Sequence, residues 1–337
     1  MRIFTDVSAS GVTYCTRLPP IAREYFPNLA IVGSAEGALS PVYRDDRGCL
    51  RLAVCRLDRY CVMLEDVVTI LHGVGASILA IVPISIVVAA AFTLLSIGSR
   101  CNPARPWWSK RDLLTDLCYW FLIPLFARYL RIGLLVAGAA LLFGITGPDD
   151  LAAFYQDGHG PLARLPLWLQ GVLFLVGSDF LMYWIHRAFH REPLWKYHAV
   201  HHSSEELDWI SAARFHPVNI FLGSVATDVA LLLAGVSPSV FVILGPFTVA
   251  HSAFVHANLA WSLGPFRYVI AGPIFHRWHH TSFDRGGDKN FASTFPVLDL
   301  LFGTFYMPPN QRPDAYGIAD RDFPSGFARQ LLYPFRR

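Results

Sequence analysis

The chain has 337 residues and a formal net charge of +3, with 53% of its residues hydrophobic and only 16% charged, against about 25% charged in an ordinary soluble domain. That balance argues against a soluble globular protein. It also argues against a nucleic-acid binder, because the 28 basic residues are interleaved with 25 acidic ones rather than gathered into a stripe. Six cysteines form no Cys-x-x-Cys pair, so neither a zinc ribbon nor a redox motif is indicated.

Residues 1–62 carry eight arginines, six acidic residues, scattered Pro and Gly, and no sustained helical or strand period. This tail is assigned no chemistry and lacks the apolar core of a secretory signal. Met63 stands just before the first clear helical pattern and is the expected alternative start. From Val74 to Ile97 there are 24 residues without a charge, so a first span is expected over about Leu71 to Ile97, with Pro83 inside it. The loop Gly98 to Asp112 carries Arg100, Arg105, Lys110 and Arg111 against one acid, with Trp107 and Trp108 suited to the headgroup zone. Such a basic loop reads as cytoplasmic.

Leu113 to Ile145 is apolar but interrupted by Pro124, Arg128 and Arg131, so it fits either one long tilted helix or an interfacial piece followed by a span. The exit loop, Thr146 to Ala163, holds Asp149, Asp150 and Asp157 and no Lys or Arg, which places it on the opposite side. A third span, Leu165 to about Trp184, returns the chain to the cytoplasmic face. Fifty residues from Pro217 to Phe266 contain one charged side chain, Asp228. Two apolar runs in them, Val218 to Leu233 and Val240 to Val255, are separated by the turn signal Gly235-Val236-Ser237-Pro238. A hairpin there brings everything after it back to the face it left.

Eleven of the 13 histidines lie between 186 and 280, and eight form three clusters: His186 and His190; His198, His201 and His202; His276, His279 and His280. Spacings of three and four put imidazoles on one helix face. Adjacent residues point about 100° apart, so a pair such as His201 and His202 can serve two metals. Imidazole suits Fe, Cu, Ni and Zn. Two ions with four to five nitrogens each use the eight ligands economically, and the remainder is expected from His256 first, then His251 and His216. His216, in Arg214-Phe215-His216-Pro217, can instead cap or anchor the chain, while His72 and His159 read as ordinary polar residues. Asp179 lies near the stripe of His186 and His190, where it is expected to accept a hydrogen bond from a ligating ring, direct ligation being the lesser alternative.

These residues resemble the fatty acid hydroxylase and sterol desaturase superfamily of integral membrane di-iron enzymes. The resemblance rests on Asp179 to His190, Leu194 to Ser204, Arg214 to Pro217, His256-Ala-Asn258, Phe275 to His280, Lys289-Asn290-Phe291 and Leu298 to Tyr306. Seven residues between His190 and His198 are similar to the hydroxylase and sterol-type branch. The resemblance implies two Fe ions held mainly by histidines at the cytoplasmic face, O2 as oxidant, and a lipid C–H bond as target. It also adds Asn258 and Asp299 as candidate further ligands or supports of the ligands. No His-Pro-Gly-Gly haem motif marks a fused cytochrome b5 module.

The expectation is an all-α integral membrane protein with four or five transmembrane helices and a cytoplasmic histidine-rich helical cap. Its divisions are a tail over 1–62, an N-terminal transmembrane region over 63–164, a fatty acid hydroxylase-like catalytic domain over 165–310 and a C-terminal tail over 311–337. It is expected to hydroxylate or desaturate a membrane lipid (fatty acyl, sterol or polar-lipid chain). O2 and a separate electron donor of ferredoxin or cytochrome b5 type complete the reaction, in a bacterial inner membrane rather than endoplasmic reticulum. A histidine-rich membrane metal- or haem-binding protein, for transport or electron transfer, is the alternative.

Overall fold

The computed structural model describes residues 58–336 except 104, 157 and 321, with side chains from 71 onward, and, before them, the backbone of five short strands. The chain divides into two units, Met1–Ala76 and Ser77–Arg337. In the first, β1 (Phe4–Ser8), β2 (Gly11–Thr16), β3 (Ile31–Ser34), β4 (Tyr43–Arg44) and β5 (Leu50–Ala53) pair in the order β1-β2-β3-β5-β4. All neighbours are antiparallel except β3 and β5. Strands of two to six residues are too short for an alternating pattern to register, so the sequence of this tail shows no strand period. From Asp58 onward the described residues contain no strand, and the all-α expectation holds there.

Helix α1 (Asp58–Ser96) begins ahead of Met63, whose side chain lies outside the described ones. The second apolar region is one continuous helix, α2 (Leu113–Phe143), with Pro124 inside it. It ends at Gly144, whose φ of 70° lets its N–H turn back onto the carbonyls of Ala139 and Ala140. The acidic exit loop holds α3 (Pro148–Gln156) and one further helical turn. Next come α4 (Leu167–Phe189), which continues past the expected end at Trp184 and carries His186 on its last turn, and α5 (Trp195–His202).

The hairpin is α6 (Pro217–Leu233) and α7 (Pro238–His256). Its turn is built by the residues that signal it. Gly235 takes φ 103° at a point where a Cβ would collide with the His159 carbonyl, and Ser237 caps α7 by accepting from the Ser239 N–H. A π-turn at Phe221–Val225, with Gly223 away from helical angles, interrupts α6. The short helices α8 (Pro273–His279), α9 (Val297–Leu301) and α10 (Phe327–Leu332) follow.

Four helical stretches are long and apolar enough to cross a bilayer: Leu71–Ser96, Leu113–Phe143, Leu167–Phe189 and Pro238–His256; α6 is apolar but shorter. Their outer faces are hydrophobic. Leu79, Leu141 and Val242 are 71%, 84% and 75% exposed, which in water would forfeit about 1.5–3 kcal/mol per side chain. Against lipid that cost vanishes, and the protein is an integral membrane protein. The two arginines of α2 are paired: Arg131 Nη2 donates to Asp228 at 2.6 Å, and Arg128 to Ser77 at 2.7 Å.

At the histidine end, charged and aromatic groups lock the helix ends together. Asp116 on α2 is fully buried between two cations, Lys110 at 2.5 Å and Arg214 at 2.6 Å. Burial pushes the Lys110 amine below its ordinary pKa, and the Asp116 carboxylate opposes that shift. Beside this cluster Trp209 packs against the rings of Phe92, Trp107 and Trp120, which joins α1, α2 and the segment after α5.

Candidate metal centre

Nine histidines converge at the end of α4, on α5, at the end of α7 and on α8. They fall into two groups: His186, His190, His198, His202 and His279 in one, and His201, His256, His276 and His280 in the other. In each group one ring nitrogen per residue lies within 4.8 Å of the others. Each adjacent pair is split between the groups, His201 from His202 and His279 from His280, as a 100° step along a short helix requires.

The donor atoms fit a metal. Nε2 of His186 lies 3.0 Å from Nε2 of His198, and His202 Nε2 is 3.2 Å from the same atom. In the second group His256 Nε2 sits 3.1, 3.2 and 3.3 Å from those of His276, His280 and His201. Ligands bonded side by side to one ion at about 2.1 Å stand close to 3 Å apart. The far ring nitrogens account for the protons. Nδ1–H of His186 donates to the Phe291 carbonyl (2.8 Å), of His198 to Asn219 Oδ1 (2.6 Å), and of His201 to the Arg214 carbonyl (3.1 Å). His256 and His279 donate in the same way to the carbonyls of Ser252 and Lys289, both at 2.7 Å.

A neutral imidazole with its proton on Nδ1 presents a lone pair at Nε2. His201 and His256 therefore aim lone pairs at each other across 3.3 Å, and His279 Nε2 is buried with no hydrogen-bond partner. Burial, reinforced by neighbouring imidazoles, holds His190, His198, His201, His202, His276, His279 and His280 below the ordinary histidine pKa. Charging the rings is thus disfavoured, and a shared cation is what reconciles the opposed lone pairs. Both groups could hold a metal ion.

The remaining sequence candidates take other places. Asp179 does not accept from a ligating ring. It sits two helical turns before His186, about 10 Å along the axis, and its carboxylate accepts the backbone N–H groups of Ser293, Thr294 and Phe295. Asp299 accepts from the N–H groups of Phe291 and Ala292 and from Thr304 Oγ1. It thereby fixes the carbonyl that receives His186. Asp299→Ala is expected to weaken metal retention about 10- to 100-fold, read by chelator competition; unchanged retention would remove this role.

Asn258 ties Asn102 through both its amide oxygen and nitrogen and contacts no histidine ring by hydrogen bond. His251 bonds the Ala271 carbonyl at 3.1 Å and stacks on Phe247; five residues from His256 on α7, it belongs to neither group. His216 caps α6, its Nδ1 accepting from the Val218 N–H and its Nε2 donating to the Leu331 carbonyl. His159 bonds the Leu233 carbonyl and His72 is exposed.

Sequence reasoning did not single out Asn219, which orients His198, or Arg277. The latter is buried and donates to the carbonyls of Leu207, His256 and Ala257, so it clamps the end of α7 to α8. Arg277 lay in view between His276 and His279. Its fully buried position and its backbone partners had no sequence signal.

Residues 171–304 match the family model described as fatty acid hydroxylase. The chain is similar to ornithine lipid hydroxylase OlsE of Rhizobium tropici, at 29% identity over 261 residues, covering 75% of this chain and 76% of the relative. Alkylglycerol monooxygenase of Danio rerio is 34% identical over 152 residues, 45% of this chain and 33% of the relative. A Delta(7)-sterol 5(6)-desaturase of Gibberella zeae is 27% identical over 178 residues, 52% of this chain and 47% of the relative. No solved structure matches.

Proposed function

We propose that this chain, whose residues 171–304 match the fatty acid hydroxylase model, holds two iron ions in its two histidine groups and hydroxylates a C–H bond of a membrane lipid. The observation that carries the reading is the convergence of nine buried histidine nitrogens into sets of five and four. An unactivated C–H bond resists acid–base and nucleophilic attack, and iron, when bound, supplies the activation of O2 that such a bond requires.

The rest is the work of the chain. Nδ1–H bonds to backbone carbonyls at His186, His201, His256 and His279, and to Asn219 at His198, set the tautomer of these rings and hold their Nε2 atoms toward the centre. Burial keeps the rings neutral. A cavity of about 340 Å³, lined in part by Phe174, Met182, Ile185, Ile220 and Val255, reaches His186, His198, His201, His256 and His276 from among α4, α6 and α7. These apolar walls exclude water and orient a chain drawn from the bilayer.

Electrons come from a separate donor of ferredoxin or cytochrome b5 type. The basic loop with Arg100, Arg105, Lys110 and Arg111 supports a cytoplasmic centre in a bacterial inner membrane. Transport is disfavoured because the nine nitrogens gather at the ends of the spans, whereas a carrier displays ligands deep within them.

Expression in a host followed by comparative lipid mass spectrometry tests the reading. A lipid that gains one oxygen atom is the expected product, and one that loses two hydrogens identifies desaturation instead. Elemental analysis of purified protein should find roughly two irons per chain. An unaltered lipid profile together with no bound iron would reject the proposal.

A further inference from the structure

The cavity that meets the histidines also carries polar groups for which a plain hydrocarbon tail has no use. Arg131 and Asp228 line it, together with Ser178, Ser224, Thr227 and Thr248. Asn219, which holds His198, and Asp228 are nine residues apart on α6, on either side of its π-turn, so this polar region lies further along the helix than the metal-facing end. Arg131 and Asp228 already neutralise each other at 2.6 Å. Even so, Arg131 Nε and the Thr227 hydroxyl are buried without a hydrogen-bond partner. Unmade hydrogen bonds are costly away from water, and most of all at membrane depth.

The charge balance selects the ligand. A carboxylate or amine beside a pair that is already neutral would bring an uncompensated charge into the membrane. A neutral carbonyl oxygen brings none, and its two lone pairs suit two spare donors.

We propose that Arg131, Asp228 and Thr227 form a subsite for the neutral linkage carbonyl, ester or amide, of an acyl lipid. The substrate is then a lipid that carries a carbonyl away from the carbon that is oxidised, and an unsubstituted hydrocarbon chain is a poor ligand. That this lipid is oxidised rests on the oxygenase reading, whereas the carbonyl preference of the cavity does not.

The test uses full-length, metal-loaded protein and measures displacement of a fluorescent polyene lipid. The competitors are a long-chain fatty acid methyl ester and an n-alkane of equal length. Wild type should prefer the ester by about fivefold or more, the factor of one net hydrogen bond. Thr227→Val keeps the shape, removes one donor and should cut the preference by about half or more. Arg131→Leu combined with Asp228→Leu removes both charges together, so that neither is left unpaired, and should abolish it.

Equal binding of ester and alkane by wild type overturns the proposal, as does an undiminished preference in the double variant. Should the double variant not fold, an undiminished preference in Thr227→Val does the same. Ester preference without any lipid oxidation would reject the oxygenase reading and leave the subsite standing. Oxidation without ester preference would do the reverse.

Discussion

Alanine at His279 is expected to abolish lipid oxidation while leaving the helices folded. His279 contributes one of five nitrogens to its group, its Nδ1–H is tied to the Lys289 carbonyl, and its Nε2 has no hydrogen-bond partner, which is why it is proposed as a ligand. Removing a support of a ligand costs about 10- to 100-fold, and removing the ligand itself should cost at least ~100-fold in turnover. The second group, His201, His256, His276 and His280, is untouched by this change. Metal content should therefore fall toward one ion per chain and not to zero. His201→Ala should give the mirror result, with loss from the group of four. Turnover and elemental analysis on the same preparation check both, with helical content measured by circular dichroism. Full activity in either variant would reject the ligand assignment.

The largest effect on stability is expected at Asp116. Its carboxylate accepts from Lys110 and Arg214, and all three side chains are at most 2% exposed. Asp116→Ala removes the acid that Lys110 and Arg214 share and leaves Arg214 only its longer contact with Asp112 at 3.4 Å, and loss of one partner of a buried pair costs about 3–5 kcal/mol. That is a large share of the roughly 5–15 kcal/mol that holds a domain folded. The damage reaches the metal centre as well, because the Arg214 carbonyl receives Nδ1–H of His201. Asp116→Asn keeps an acceptor without the charge and should fall between wild type and Ala. Thermal melting in detergent and the yield of folded protein measure the series. A melting midpoint for Asp116→Ala within about 2 °C of wild type would show that the pair contributes little.

What the sequence made legible follows from the range of each signal. The grouping of His186, His190, His198, His201, His202, His276, His279 and His280 was readable because imidazoles three and four residues apart share a helix face. His256 was readable as the end of a returning apolar run. The hairpin was announced by Gly235 and Pro238, residues whose backbone preferences act within a turn. Asp179 was not readable in its true role, since its partners, the N–H groups of Ser293 to Phe295, lie more than a hundred residues away and carry no side-chain signature. The same holds for Asn219, the Phe291 carbonyl behind His186, and the contact of Asp116 with Arg214. The π-turn at Phe221–Val225 left no trace beyond one glycine, and the strands before Asp58 were too short to show a period.

Helix α5 is only eight residues long, yet it supplies His198 and His202 to one group and His201 to the other, and α8 with the residue after it divides His279 and His280 in the same way. The two sites are therefore geared to each other. Any slide or rotation of α5 moves ligands of both at once, and the separation between the sites is set by backbone rise and pitch, with side-chain rotamers as a fine adjustment. A one-residue insertion in α5 would turn its later histidines by about 100° and scramble both sites together. A substitution in the cavity wall therefore leaves the spacing of the two groups unchanged, because two short helices set it.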